Sequence, residues 1–305
     1  MAHEQTSEVV SLPEHLQRAL GKRLQRLGRF LDFSASDDPV DAVHELRVAS
    51  RRLRAFGVVF KDVLGAKRHS RLDRRLKQVT RAAGAVRDWD VQSGRVDARV
   101  ARATSELERA CLEHLLEHFD AERALAVRKA EKRLRKLDMV ALSSALDAAL
   151  ARAIEALSPP NQAGGQARQQ LERLVEQASA SANAEAAPLH EEQMHQLRIR
   201  VKELRYALEL FEPLLGQQYG VLHRRATELQ ELLGDHHDLT VLAALVRSRG
   251  AELESKNRKT LAEGMQRVEA AFSSESRALV ERFQREGFDP VWWRDNLASA
   301  FQNPG

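Results

Sequence analysis

The chain has 305 residues, enough to bury a large helical core, so neither a disulfide nor a structural metal is needed to hold it together. Hydrophobic residues make up 43%, charged residues 30% and aromatics only 5%, a composition dominated by Ala, Leu, Arg and Glu that argues against a β fold and for an all-α one. The single cysteine, Cys111, excludes an internal disulfide and a multi-cysteine zinc or iron–sulfur site, and a net charge of +4 is too weak a bias to identify a partner until the positions of the charges are known.

The start, MAHEQTSEVV, has no basic stretch followed by an apolar core, and no window reaches about 18 apolar residues, so a cytoplasmic protein with no membrane partner is expected. A first helix is predicted over 11–33. Asp38 followed by Pro39 reads as an N-cap and first helical position, with Gly65 closing that helix. Helices then fit 66–84, 87–103, 105–137 and 139–157, and SPPNQAGG (158–165) reads as a linker. The second half repeats the plan over 166–183, 189–215, 219–233, 237–250 and 252–286, with a tail from Gly287. Trp292 and Trp293 in that tail either cap the second unit or dock a partner. Residues 8–157 and 166–305 are thus expected to be two helical repeats of one unit.

The correspondence extends to residue identity. His44-Glu-Leu-Arg47-Val-Ala-Ser-Arg51-Arg52-Leu-Arg54 lies over His195-Gln-Leu-Arg198-Ile-Arg-Val-Lys202-Glu-Leu-Arg205, an offset of 151. Leu72-Asp-Arg74-Arg75 lies over Leu222-His-Arg224-Arg225, and Gly84-Ala-Val-Arg87-Asp88 over Gly234-Asp-His-His237-Asp238, an offset of 150. So little slippage over so long a period points to internal duplication, at a spacing too long for a solenoid.

Offsets of 0, 3, 7 and 10 fall within an arc of about 80° on an α-helix, so His44, Arg47, Arg51 and Arg54 share one face. Leu46, Ala49, Leu53, Phe56 and Phe60 cluster on nearly the opposite side, leaving the cationic stripe for solvent or a ligand. A merely soluble face interleaves acids among its bases to relieve like-charge repulsion. Both copies instead keep four cationic or cationisable positions, which favours a binding role. Arginine holds two phosphate oxygens in its fork and stays charged, and histidine adds a donor that charges readily beside phosphate. The segment from Lys67 to Arg87 carries eight basic residues against one acid, Asp73, and Arg74, Lys77 and Arg81 extend the field. The second copy keeps only Arg224 and Arg225 there, because Thr227 and Glu231 stand in place of Lys77 and Arg81. Glu209 falls on the arc one turn past Arg205, where it either orients a guanidinium or ends the stripe.

These residues resemble the CHAD family, the conserved histidine α-helical domain. The likeness rests on His44-x-Leu-Arg47-Val-x-x-Arg51-Arg52-Leu-Arg54, on His195-x-Leu-Arg198-Ile-x-x-Lys202-x-Leu-Arg205-Tyr206, and on Gly-x-x-Arg/His-Asp turns at Gly84 and Gly234. The resemblance implies two four-helix bundles related by a pseudo-twofold axis around a basic central groove or pore. It also implies non-catalytic binding of inorganic polyphosphate and association with polyphosphate granules and their other proteins. The stripe residues would hold the ligand, joined by Arg74, Lys77, Arg81, Arg87, Arg224, Arg225 and His237, with no cofactor or metal.

Three other readings compete. His114-Leu-Leu-Glu117-His118 fits the inverted zinc-peptidase pattern, but it has no duplicated counterpart and no third ligand. His236-His237-Asp238 is a poor chelate, because adjacent helical residues point about 100° apart. Nucleic acid or phosphorylated protein is the stronger alternative, since an Arg/Lys surface neutralises any phosphate chain. The basic segments, however, offer few aromatics for stacking bases, and Trp89 is expected to pack between helices.

Overall fold

The computed structural model describes residues 11–158, 160–182 and 191–302, and within them it contains helices and no strand. The expected helix start at 189, the repeat boundaries at 8 and 305, and the N-terminal segment lie outside the described residues. The first half runs α1 (Leu12–Arg29), a 3-10 turn (Phe33–Ala35), α2 (Pro39–Val59), α3 (Lys61–Leu64), α4 (Ala66–Val100), α5 (Glu106–Leu134) and α6 (Met139–Ala156). The second half follows with α7 (Pro160–Ala182), α8 (Glu191–Leu210), α9 (Glu212–Leu215), α10 (Gln218–Ser255), α11 (Lys259–Glu286) and α12 (Pro290–Gln302).

The termini are set by local chemistry. Ser11 and Glu14 form a reciprocal capping box on α1. Asp38 accepts from Val40 N and Asp41 N at 3.0 Å, placing Pro39 at the first position of α2. Ser105 and Asp138 cap α5 and α6 in the same way. Gly65 and Gly216 close the one-turn helices α3 and α9 at φ 72° and 50°, a region that favours glycine.

Several expectations need correction. The helix expected to run from Pro39 to Gly65 ends at Val59, and Gly65 closes the one-turn α3 that follows it. The residues expected to turn at Gly84 and Gly234 are helical, and α4 and α10 run unbroken for 35 and 38 residues. An interior glycine costs about 1 kcal/mol relative to alanine, a penalty that burial of Val79, Ala82, Ala83 and Val86 around Gly84 outweighs. The linker expected over 158–165 is shorter, since α7 already begins at Pro160 and passes through Gly164 and Gly165. The tail from Gly287 contains a further helix, α12. In it Trp293 is fully buried, stacked on Phe288 at 5.7 Å and edge-on to Trp292 at 5.1 Å.

Packing follows one pattern in each half. α2 packs on α1 and α4, and α4 on α5 and α6; α8 packs on α7 and α10, and α10 on α11 and α12. The apolar core nevertheless does not divide at the linker as two separate bundles would. One cluster joins α1, α2, α4 and α6 to α7, α8, α10 and α12. A second is built by α4 and α5 from the first half with α10 and α11 from the second, around Leu112, Phe119, Val246 and Phe272. There Gly264 lets α11 approach α5, because a methyl group at that position would overlap Cys111 Sγ. Trp89 packs against both clusters, with its ring 5.2 Å from Phe119. No helix among the described residues is long and apolar enough to cross a membrane.

Candidate functional site

The two stripe helices meet. α2 and α8 buries Leu46, Leu53, Leu197, Val201 and Leu204 completely, and each turns its opposite face toward a cavity of about 650 Å³ between α2, α4, α8 and α10. Because α4 and α10 are continuous, Arg87, Asp88, Val91 and Gln92 recur on one face of the first, and Gln230, Gly234, His237, Asp238 and Val241 on one face of the second.

Of the predicted residues, His44, Arg47, Arg51, Arg52, Arg87, Arg198, Lys202, Arg205 and His237 line this cavity. His195 stands beside it, with its ring 5.5 Å from that of His237. The others are elsewhere. Arg54 is drawn to Asp73 of α4, with Nε 2.9 Å from Oδ1. Arg74, Lys77 and Arg81 lie on the same arc of α4 as Asp88, roughly two to four turns before it, outside the cavity. Arg224 is exposed at the corresponding end of α10. Arg225 donates to the carbonyls of Glu286 and Gly287, at the corner between α11 and α12.

Several lining cations have carboxylate partners. Arg47 Nη1 donates to Asp88 Oδ1 at 2.8 Å. Glu209, only 7% exposed, gathers Arg23 of α1 at 3.1 Å, Arg52 at 2.8 Å, Arg205 at 3.6 Å and His223 at 3.7 Å. Arg205 is fixed further by Gln230, which accepts from its Nε at 2.9 Å, and by the Tyr206 ring beneath its guanidinium at 4.8 Å. Glu209 therefore orients guanidinium groups. Arg23 was not legible as part of this network, because it meets Glu209 across 186 positions of sequence and nothing local marks it. Asp238 pairs with Arg95 at 3.5 Å, and burial raises its carboxyl above the usual range.

Arg51, Arg198 and Lys202 differ. They converge from the two halves without an ion pair among the described residues. Burial, then the neighbouring Arg51, Arg198 and Arg47, push the Lys202 ammonium down to about 7. Burial and Arg47 lower Arg51 to about 10, and burial lowers Arg198 despite Asp238 nearby. His237 is pushed down to about 4 by burial and then by Arg198, so its imidazole is neutral at pH 7. Burial and Arg87 act on His44 in the same direction. The arrangement concentrates positive charge where solvent screening is poor.

The metal-binding patterns are differently employed. His114 Nε2 lies 2.9 Å from the Arg249 guanidinium, and burial followed by that cation lowers its pKa. His236 Nδ1 lies 2.8 Å from Ser276 Oγ. No group of three or more His, Cys, Asp or Glu side chains among the described residues is placed to share a metal ion.

Comparison with known proteins agrees with this architecture. Two uncharacterized proteins of Mycobacterium tuberculosis, from strains CDC 1551 / Oshkosh and H37Rv, are each 26% identical over 230 residues. The match covers 74% of this chain but 44% of each relative, so the chain spans less than half the length of these curated relatives. The crystal structure of the CHAD domain from the plant Ricinus communis superposes with a TM-score of 0.64, over 95% of this chain and 92% of that one, at 23% identity, which speaks to the fold alone. The family model of the CHAD domain matches residues 14–247, most of the chain, and the protein therefore belongs to the CHAD domain family.

Proposed function

We propose that this protein binds inorganic polyphosphate without catalysis, in a basic groove formed where two duplicated helical units meet, and that it joins polyphosphate granules through that ligand. The observation carrying this reading is the meeting of Arg51, Arg198 and Lys202 in one cavity with no ion pair of their own among the described residues. Crowded, poorly hydrated cations raise the free energy of the empty site, and a polyanion threading between them relieves desolvation and mutual repulsion together. Arg47, Arg52 and Arg205 are already held by Asp88 and Glu209, so they present oriented donors at little entropic cost. A chain longer than the cavity would meet Arg81, Lys77 and Arg74 on the same arc of α4. The repeated helix order and the paired stripes support duplication as the origin of the site.

Binding is read as non-catalytic because no nucleophile paired with a base is found in the cavity among the described residues, and Lys202 and His237 sit among cations that suit them to an anion. The cavity's carboxylates face guanidinium groups, and it holds no serine, threonine or cysteine nucleophile. The deciding experiment is a competition among long-chain polyphosphate, orthophosphate, ATP and DNA at one stated ionic strength. Polyphosphate should displace the others and bind far more tightly than orthophosphate, with an affinity that falls as salt rises. Preference for DNA would replace this reading with nucleic-acid binding.

A further inference from the structure

Beside the central cavity lies a second hollow, of about 300 Å³, along α1. Its charged lining is wholly basic: His15, Arg18, Lys22, Arg23 and Arg26 from α1, together with Arg52 from α2. Arg52 also lines the central cavity, so one side chain belongs to both walls. His15, Arg18, Lys22 and Arg26 lie within an arc of about 80°, and the first three repeat the 0, 3, 7 spacing of His44, Arg47 and Arg51. Their backbone positions extend about 16 Å along the helix at 1.5 Å per residue.

The charges in this hollow divide into two groups. Arg23 and Arg52 are committed to Glu209, His15 Nε2 meets the Glu209 carbonyl at 2.9 Å, and Arg26 pairs with Glu45 at 3.1 Å. Arg18 and Lys22 are exposed and form no ion pair among the described residues. α7, which holds the same place in the order of the second half, pairs its Arg168 with Glu172 at 2.8 Å and its Arg173 with Asp62 at 3.3 Å. The cations without an ion pair among the described residues are therefore on the α1 side, with Glu14, one turn before Arg18, acting on it only at longer range.

We infer that the α1 hollow is a second polyphosphate subsite, which takes the part of a long chain that leaves the central cavity past Arg52. This rests on the cavity reading and adds a path to it. Arg23 and Arg52, fixed through Glu209, form the rigid floor, while Arg18 and Lys22 supply mobile charge along the rim. A ligand short enough to be held in the cavity does not reach Arg18 or Lys22, so the subsite acts only on long chains.

The test measures dissociation constants for tripolyphosphate and for long-chain linear polyphosphate on the full chain, using Arg18→Glu/Lys22→Glu, the cavity pair Arg51→Glu/Lys202→Glu, and Arg128→Glu/Lys132→Glu on α5 as a control for net charge. The α1 pair should weaken long-chain binding by about tenfold or more and make it less salt-dependent, while tripolyphosphate binding changes less than about twofold. The cavity pair should weaken both ligands, and the control neither. If the α1 pair binds the long chain like wild type while the cavity pair fails, the α1 subsite is wrong and the cavity stands. If the α1 pair and the control weaken the long chain equally, net charge explains the effect and the subsite is again wrong. If wild type binds neither ligand, the cavity reading and the α1 subsite both fall.

Discussion

α2 and α8 carry the same stripe of cations into the same cavity, yet their side chains are differently employed. On α2, Arg47 is held by Asp88, Arg52 by Glu209 and Arg54 by Asp73, leaving Arg51 without an ion pair among the described residues. On α8 the relation is nearly reversed: Arg205 is held by Glu209 and Gln230, while Arg198 and Lys202 have no ion pair among the described residues. A repeated run of basic residues is thus two populations. Paired guanidinium groups fix the geometry of the walls, while Arg51, Arg198 and Lys202 carry the unrelieved repulsion.

The sharpest way to break that comparison is to reverse unpaired charges from both helices. Arg51→Glu/Lys202→Glu should weaken polyphosphate binding by more than about a hundredfold, since two contacts are lost and two repulsions added at the least hydrated part of the site. The helical circular dichroism should persist, because both side chains leave the faces opposite the core. Near-normal binding by this variant would show that the unpaired cations are not the site.

The next effect concerns the paired population and is one of stability. Glu209→Gln keeps the shape of a buried side chain but leaves Arg23, Arg52 and Arg205 facing a neutral amide, and removing one partner of a buried ion cluster costs about 3 kcal/mol. Urea denaturation should register that loss. Polyphosphate should restore more stability to this variant than to wild type, since it supplies the missing negative charge. An unchanged denaturation midpoint would mean that Glu209 organises nothing.

A smaller effect follows from Lys202. Its folded pKa, about 7, lies below the ordinary lysine value, so in the free protein the cost of burying the charge is fully present below pH 7 and is relieved as pH rises toward the unfolded value. The unliganded wild type should therefore gain stability between about pH 7 and 10 relative to Lys202→Met. Polyphosphate affinity should fall over the same range, because the ligand favours the charged form. Binding at about pH 8 should take up protons, visible as a calorimetric heat that depends on the buffer's ionisation enthalpy and shrinks in Lys202→Met. Opposite slopes for stability and affinity are the signature. Parallel slopes would argue that another group titrates.

How much of this was legible in advance depended on the range of the interaction. The stripes and the core face opposite them follow from helical period alone, and that period places His44, Arg47, Arg51, Arg198, Lys202 and Arg205 in the cavity lining, whereas the acids, amides and apolar residues that complete it are not marked by any stripe. Caps at Asp38 and Gly65 are equally local. Gly84 and Gly234 misled because glycine marks helix ends only when packing does not override it, and here the burial of Val79 and Val86 carries α4 through. Arg225 and Arg54 share the repeated pattern, but they meet the backbone carbonyls of Glu286 and Gly287 and the carboxylate of Asp73 and do not line the cavity. Such partners are distant in sequence or on another helix, and no periodicity reports them. The Glu209 network has the same character: its acid sits on the stripe, while one of its bases arrives from α1.

The smallest expected effect tests the comparison most closely. Arg51 and Arg54 are three residues apart on one helix, carry the same group, and contribute equally to net charge. Arg51 faces the cavity without an ion pair among the described residues, whereas Arg54 lies 2.9 Å from Asp73 outside it. If diffuse positive potential binds the ligand, Arg51→Ala and Arg54→Ala should cost the same. If placement decides, Arg51→Ala should weaken polyphosphate binding by about tenfold, the worth of one charge-assisted contact, while Arg54→Ala stays within about twofold. Releasing Asp73 in the second variant adds a free carboxylate near the α4 cations, which accounts for a small residual loss. Asp73→Asn/Arg54→Ala removes both charges and should return affinity to the wild-type value. Measured side by side at one ionic strength, equal losses at the two arginines would remove the distinction between wall and ligand on which the cavity model depends.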